Sequence, residues 1–305
     1  MRCLGLALAA ATGLLAAVGW CAAAPAAEPR TGGGIGFLAG DGGTSSREAR
    51  ESARRALAVE RLPAADRQEA ERVLRRPTLF RRLPTETFTC DRDLLDFALA
   101  KPDVIVDLWR VLGISRLSLD PTGPGQWKMS DGWGTEGTLR VLRHDRTPQG
   151  GTLVLLGRGG YNGPLAPQPL TGTCLVLVRY RETAREADGS ARHAMQVDAF
   201  LDADGLGLEI VTRSLQGLVC RSSASNLHEI CLFMAEFSAT AEENPAGVAR
   251  LATRLSRVDT ADRAALVALV QGPEGSGEAA TDPRVQAKLA ARWSQDAEEA
   301  TALPR

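Results

Sequence analysis

Alternation of apolar and polar residues in the middle of the chain predicts a series of β-strands. Six segments show it: 115–120, 126–131, 135–144, 152–158, 172–183 and 192–202. Turn sequences such as Ser130-Asp131-Gly132 separate them. Because short turns join strands that follow one another, we expect an antiparallel meander with one buried face covered by flanking helices.

The segment before this sheet reads as one strand followed by two helices. Residues 84–90 alternate as a strand does, and Asp91 stands where it would cap a helix. A second helix is expected over 104–112, with Gly113 at its C-terminal cap. The sheet region is thus preceded by a strand-helix-helix unit.

The segment after the sheet has helical periodicity. Apolar residues recur from Leu208 to Leu218 and again from Leu227 to Phe237, which predicts two helices separated near Gly217. Asn244 and Pro245 should cap a third. Residues 260–270 continue as helix, while 282–300 are alanine-rich and charged.

Together these patterns predict an α+β fold with an antiparallel sheet of about six to seven strands. The expected organisation has five parts: a signal peptide over 1–26, a flexible glycine-rich linker over 27–46, a helical arm over 47–77, the main domain over 78–258, and a helical, partly disordered C-terminal extension over 259–305. Helical extensions therefore flank the α+β domain.

The N-terminus has the pattern of a cleavable secretory signal. Arg2 precedes an apolar run over 4–18, and Ala24-Pro25-Ala26 then supplies small residues for cleavage after Ala26. Cys21 follows the bulky Trp20, which argues against a lipoprotein site. We expect export to the periplasm or the extracellular space.

Charge and hydropathy exclude several classes of partner. The chain has 36 basic and 37 acidic residues; loss of Arg2 with the signal leaves 35 and 37, a balance of −2. Such a balance predicts neither nucleic acid nor anionic lipid as a partner. No later apolar run reaches about 20 residues, so no transmembrane span is expected and the mature protein should be soluble.

Four cysteines remain in the mature chain, in a compartment where disulfides persist. The pairs Cys90–Cys174 and Cys220–Cys231 are favoured, because the first two cysteines lie in strand-like runs and the second two flank one turn. Four buried free thiols remain the alternative.

Possible catalytic and metal motifs are incomplete in this sequence. His228-Glu229 lacks a second histidine at Leu232, so no zinc site is predicted and His228 reads as a partly buried structural residue. The glycines over 157–163 precede Pro164 and not a helix, which favours a glycine-rich strand end. Asp202-Ala203-Asp204-Gly205 lacks the last calcium ligand and reads as a turn. No catalytic residue, metal or cofactor is predicted.

Aromatic residues close to glycine-rich turns are the remaining candidates for a binding site. Trp109, Trp127, Trp133, Tyr161 and Phe200 could line an apolar groove. The alternative is that they form the core of a domain poor in aromatic residues.

Four short motifs give the chain a family resemblance. They are Arg82-Leu83-Pro84-Thr85-Glu86; Asp107-Leu108-Trp109 with Gly113-Ile114; Gly160-Tyr161-Asn162-Gly163-Pro164-Leu165; and Ala241-Glu242-Glu243-Asn244 with Gly247-Val248. Over about 77–258 the chain resembles an uncharacterised family of exported bacterial proteins. That resemblance implies no activity.

The order of elements is also similar to the START-like helix-grip fold. This resemblance implies a sheet wrapped around a long C-terminal helix, with an apolar ligand cavity between them. The predicted division of the C-terminal helix near Gly217 departs from that pattern.

Three functional hypotheses follow. The first is a non-enzymatic exported module that binds an apolar small molecule or an envelope protein. The second is a scaffold or assembly protein that acts through its helical extensions. The third is a hydrolase with an unrecognised site drawn from Glu86, Asp107, Arg158 and His228.

Overall fold

The computed structural model describes residues 43–162, 170–185, 190–204 and 206–271, with side chains described from 223 onward in the last range. The predicted signal peptide, nearly all of the predicted linker and residues 272–305 lie outside the described residues.

One antiparallel sheet of eight strands dominates the fold. The strands are β1 (Leu79–Arg82), β2 (Glu86–Thr89), β3 (Ser118–Gly123), β4 (Gln126–Ser130), β5 (Thr135–Thr147), β6 (Gly150–Tyr161), β7 (Leu170–Arg185) and β8 (Ala191–Asp204). Their order is β1-β8-β7-β6-β5-β4-β3, and β2 also pairs with β8. β1 and β2 follow one another along the same edge of β8, with Pro84 in the break between them.

All six strands expected between 115 and 202 are present as β3 to β8, and the strand expected over 84–90 is β2. The chain therefore has the predicted α+β class. β1 was not predicted, because Leu79 and Phe80 are followed directly by Arg81 and Arg82 and the run is too short to show alternation.

In the described residues, seven α-helices accompany this sheet. They are α1 (Arg47–Leu57), α2 (Ala64–Arg75), α3 (Arg92–Ala100), α4 (Pro102–Val111), α5 (Leu206–Glu243), α6 (Pro245–Thr253) and α7 (Thr260–Gln271). One turn of 3-10 helix, Val59–Arg61, joins α1 to α2. The predicted caps are confirmed: Asp91 accepts from the Leu94 amide at 2.8 Å, and Asn244 accepts from the Gly247 amide at 2.8 Å.

The prediction of two helices separated near Gly217 is wrong. α5 is a single helix of 38 residues, on the order of 57 Å long. A glycine inside a helix costs only about 1 kcal/mol relative to alanine, which the burial of side chains such as Phe233, Met234 and Phe237 offsets. The chain thus has the long C-terminal helix that the helix-grip resemblance implies.

The main hydrophobic core lies on one face of the sheet, here called the helical face, where α3 to α7 pack. Strand side chains on this face alternate, as a period of two requires. They include Trp127, Met129, Leu139, Cys174, Val176, Met195 and Val197. Trp109 of α4 meets Phe233 of α5 edge-on at 5.7 Å, and Phe233 stacks on Phe237.

A second core lies on the opposite face, where α1 and α2 pack. Phe80 and Phe200 meet there at 4.8 Å, next to Leu57 and other buried residues of α1 and α2. We expected one buried face and a helical arm over 47–77. Because neighbouring residues such as Leu175 and Val176 are both buried and point to opposite faces, both faces need cover, and α1 and α2 supply it on the second face.

A buried carboxylate joins α1 to the sheet on this second face. Asp198 is fully buried and receives both nitrogens of the Arg82 fork, at 2.7 and 3.1 Å, and Arg179 at 2.7 Å. Arg82 also donates to the Ala49 carbonyl of α1 at 3.3 Å. The charge of Asp198 is therefore paired twice, as a buried carboxylate requires.

The structure separates the members of the predicted pair Cys90–Cys174, and the pair Cys220–Cys231 stays a prediction because the Cys220 side chain lies outside the described residues. Cys90, Cys174 and Cys231 are buried. Cys174 stands opposite Leu201, whereas the Cys90 amide bonds to Ala191. These two positions on β8 are about 30 Å apart, far beyond the reach of one disulfide.

Within the described ranges, no helix combines the length and the apolar character that crossing a bilayer demands.

Replacement of Phe200 by alanine should test whether α1 and α2 belong to the domain. We expect Phe200→Ala to lower the free energy of unfolding by about 3–5 kcal/mol, and Phe200→Leu by less, because the ring fills the second core. The measurement is urea unfolding followed by circular dichroism. Leu232→Ala is the control, since this side chain is 41% exposed and should cost about 0.5 kcal/mol. Equal costs for Phe200→Ala and Leu232→Ala would contradict the packing of α1 and α2.

Candidate functional site

The structure does not bring the five candidate aromatic residues into one groove. Trp109 and Trp127 are buried in the core of the helical face, and Tyr161 is buried opposite Thr135 at one end of it. Phe200 points to the opposite face and packs against Phe80, so it cannot line the same space. Trp133 is 54% exposed.

Trp133 is exposed because a polar turn holds it between β4 and β5. The Asp131 carboxylate accepts from the Trp133 amide at 2.7 Å and from the Thr135 amide at 2.9 Å. Gly132 and Gly134 on either side of Trp133 have positive φ. The indole face receives the Arg116 guanidinium at 5.2 Å, so this ring is engaged at the surface and does not enter the core.

A row of glycines crosses three neighbouring strands near one end of the helical face. Gly137 of β5 stands opposite Gly159 of β6, which stands opposite Gly172 of β7. Gly157 adds a fourth, between Leu139 and Cys174. We call these four residues the glycine row. Elsewhere on this face the strands present side chains to the helices, whereas these four glycines present only backbone.

Two glycines of the row leave no room for a side chain. A Cβ on Gly159 would lie 2.6 Å from the Glu136 carbonyl oxygen, and one on Gly137 would lie 2.4 Å from the Arg158 carbonyl oxygen. Such distances mean that the backbones of β5 and β6 approach each other too closely there for any side chain.

Buried polar groups without partners lie on the same side of the sheet. Asn226 of α5 is 2% exposed, and neither its amide nitrogen nor its oxygen has a hydrogen-bond partner within the described part of the chain. The indole nitrogen of Trp109 and the hydroxyl of Thr135 are buried and unpartnered in the same sense. Most buried polar groups are hydrogen-bonded, so these three need an explanation, although unpartnered atoms such as Arg67 Nε and Arg179 Nε also occur on the opposite face.

Helix geometry relates Asn226 to Trp109. Asn226 precedes Phe233 by seven residues, two turns, so both side chains leave α5 on the same side and lie about 10 Å apart along its axis. Phe233 touches the ring of Trp109. Asn226 and Trp109 therefore both lie in the buried region where α4 and α5 meet. We call this region, together with the glycine row, the interior groove.

The interior groove was only partly visible in the sequence. The glycines over 157–163 were expected to end a strand, and the structure places 157–161 in β6. Gly137, Gly172 and Asn226 were not singled out. The available signal for Asn226 was a polar residue beside Leu227 at the start of an apolar helical stripe.

A chain of hydrogen bonds fastens α3 to the sheet at its far end. Tyr180 donates to Asp96 at 2.6 Å, and Asp96 also pairs with Arg92 at 3.2 Å. The Nε2 atom of His144 lies 3.4 Å from the Tyr180 hydroxyl oxygen. Burial raises the pKa of Tyr180, and the hydrogen bond to Asp96 raises it further. Tyr180 is 3% exposed, so this cluster is a buried anchor for α3.

The four polar groups considered for a hydrolase do not converge. Glu86 and His228 pair at 2.8 Å across β2 and α5, as suits a partly buried structural histidine. Asp107 accepts from the backbone amides of Ser256 and Arg257, at 2.8 and 3.0 Å. Arg158 pairs with Glu69 of α2 on the opposite face. These groups therefore cannot act on one substrate.

Asp202 and Asp204 lie at the end of β8, where the Thr171 hydroxyl donates to Asp204 at 2.9 Å. In the described portion of the chain, no three His, Cys, Asp or Glu side chains come close enough to hold a metal ion.

Comparison with known proteins assigns no family. No family model matches the chain, and no curated protein is significantly similar to it. Among solved structures, the Mll3558 protein from Rhizobium loti aligns with 25% identity and a TM-score of 0.25, over 47% of this chain and 97% of that one. An uncharacterised protein from Rhizobium leguminosarum aligns with 14% identity and a TM-score of 0.24, over 50% and 98%. With such TM-scores, function has to be argued from this chain's own residues.

Substitution of Gly159 by alanine should test how closely β5 and β6 approach each other. We expect Gly159→Ala to cost about 1–3 kcal/mol of unfolding free energy, because the new Cβ meets backbone that cannot move away. Gly123→Ala is the matched control, since a Cβ there meets nothing within 4 Å. Chemical denaturation of both variants is the measurement. Equal stabilities would show that the strands are not this close.

Acidification should destabilise the protein through His193, which is buried, and His144, which is partly buried. Burial lowers the pKa of His193 and of His144. Both are neutral in the folded state above the unfolded pKa of about 6.5; below it the unfolded chain takes up protons that the folded chain binds more weakly. Stability should therefore fall as the pH drops from about 7.5 to about 5.5. Urea unfolding at both pH values measures the difference.

The variant His193→Gln tests whether His193 contributes to this pH dependence of stability. His193 is fully buried, and its Nε2 donates to the Cys90 carbonyl at 3.0 Å, a bond that a glutamine amide can replace. Its pH dependence between these two values should be smaller than that of the natural chain. An unchanged pH dependence would rule out His193 as a contributor.

Proposed function

We propose that this chain is an exported, non-enzymatic module that binds a small, largely apolar molecule in the interior groove. The observation that carries the proposal is the set of buried polar atoms of Asn226 and Trp109 that have no hydrogen-bond partner within the described residues. A protein interior that holds no ligand and is fully apolar would not contain these polar groups. In a polar interior, neighbouring polar groups would form hydrogen bonds with them.

The topology supports the same proposal. A strand, two helices, an antiparallel run of strands and one long closing helix follow one another as in the helix-grip resemblance. That fold places a ligand cavity between the long helix and the sheet, where the groove lies. Fold alone does not determine function, so the unpartnered atoms weigh more in the argument.

The alternatives have less support. The four candidate hydrolase groups are dispersed over both faces of the sheet. The apolar side chains of α1 and α2 that a scaffold would offer to a partner, such as Leu57 and Val73, are fully buried within the domain. The buried unpartnered atoms and the glycine row are left, and these features suit a protein that binds a ligand.

Export belongs to the proposal because the N-terminus has the pattern of a signal peptide. A ligand-binding protein outside the cytoplasm would meet lipids, their breakdown products and other apolar molecules of the envelope or medium. The near-neutral charge fits a ligand recognised by shape and apolar contact more than by charge.

Native mass spectrometry of protein purified from its own host should test both parts of the proposal, export and ligand binding. We expect an intact chain that begins at Ala27 and carries a non-covalent adduct below about 1 kDa, a mass that suits a pocket of ordinary size. Denaturation should release the adduct into an organic extract.

A chain that still begins at Met1 would contradict export. Protein that is empty in every preparation, and that fails to bind a fluorescent apolar probe, would contradict the binding function.

A further inference from the structure

The charge of the chain is unevenly distributed, although its near-zero total predicted no anionic partner. Residues 43–82 contain 11 arginines and 6 acidic residues, a balance of +5, whereas residues 83–305 contain 23 basic and 29 acidic residues, a balance of −6. The first of these stretches supplies α1, α2 and β1. The positive charge is therefore concentrated where α1 and α2 cover the second core.

Acidic side chains on the inner side of α2 are taken up by ion pairs with the sheet. Asp66 pairs with Arg140 of β5, and Glu69 pairs with Arg140 at 3.5 Å and with Arg158 of β6. The Asp66 and Glu69 side chains are only 16% and 15% exposed. These two carboxylates therefore do not neutralise the outer side of the helical layer.

Arginines dominate that outer side. Each helix buries one side against the second core, so its opposite side points away from the sheet. Between Arg47 and Arg76, eight arginines and four glutamates are exposed, a balance of +4. Within the described ranges, five of these arginines have a guanidinium group without a hydrogen bond or salt bridge, and we call them the basic face: Arg50, Arg54, Arg55, Arg75 and Arg76.

The basic face lacks the apolar anchors of a protein interface. Trp133 and Leu232 are the exposed large hydrophobic residues of the described chain, and neither lies on α1 or α2. Partner proteins are usually held by a few buried aromatic or apolar side chains, whereas arginine binds phosphate oxygens through two parallel hydrogen bonds. The chemistry of this face therefore suits phosphate groups.

We infer that the basic face docks this domain on the surface of a bilayer that contains anionic phospholipid. The exposed arginines lie on one side of a domain whose remainder is negative, and an extended anionic surface orients such a molecule. Neither α1 nor α2 exposes a large apolar side chain that could insert among lipid tails, so docking should be reversible and screened by salt. This interaction goes beyond the proposed function and does not depend on a ligand in the interior groove.

Sedimentation with lipid vesicles tests the inference on the chain from Ala27 to Arg305, which lacks the apolar N-terminal segment. The vesicles contain either phosphatidylcholine alone or phosphatidylcholine with phosphatidylglycerol. At about 0.05 M salt we expect about tenfold tighter binding to the vesicles with phosphatidylglycerol, because each arginine near an anionic surface adds to the attraction. At about 0.5 M salt this preference should disappear.

A charge-reversal variant with one substitution on each helix assigns the binding to the basic face. Arg54→Glu combined with Arg75→Glu should lose at least about tenfold in affinity for the anionic vesicles. Arg116→Glu combined with Arg146→Glu is the matched control, because both arginines are exposed, lie outside α1 and α2, and change the net charge equally. The control should bind within about threefold of the natural chain. Circular dichroism of each variant shows that it folds.

Three results would overturn the inference. The first is binding that is absent, or equal for both kinds of vesicle. The second is an equal loss in the two double variants, which would reflect net charge alone. The third is self-association at low salt in place of vesicle binding, which sedimentation velocity would detect and which would show that the basic face meets a second copy of the chain. None of these results bears on the proposed function, which is measured by the adduct in native mass spectrometry.

Discussion

The fold depends on the fact that its central strands are apolar on both faces. In β6, β7 and β8, neighbouring residues such as Leu175 and Val176 are both buried although they point in opposite directions. A sheet of this kind must be covered twice. The five helices after β2 cover one face, and α1 and α2 cover the other. The Asp198 carboxylate, paired with Arg82 and Arg179, fixes the second layer at its edge.

The two layers differ in the side chains that meet at the sheet. On the α1–α2 side, large side chains such as Phe200 meet large side chains. On the helical face, the glycine row presents only backbone, and Asn226 adds polar atoms that find no partner in the described chain. An unsatisfied buried amide costs about 1–3 kcal/mol, so Asn226 lowers the stability of this layer.

Most of the sheet could be predicted from sequence because β3 to β8 are long and alternate clearly. Periodicity is recognised only over several residues, so the four residues of β1 gave no signal. The single helix α5 was divided because Gly217 interrupts its apolar pattern. The candidate site was harder to predict. Trp109 was named, but Phe200 was placed in the same groove because the sequence does not show that β8 presents it to the other face. Asn226 gained meaning only from its lack of partners, which is a property of the folded state.

Both edges of the sheet contain proline. Pro84 interrupts the edge formed by β1 and β2, and Pro121 in the short strand β3 accompanies a shift of register at the other edge. Proline cannot donate to a neighbouring strand, and an irregular edge offers few consecutive amides. A second copy of the chain therefore finds no regular ladder to extend. Irregular edges of this kind protect a chain against edge-to-edge pairing with its copies, and so against aggregation, while it folds.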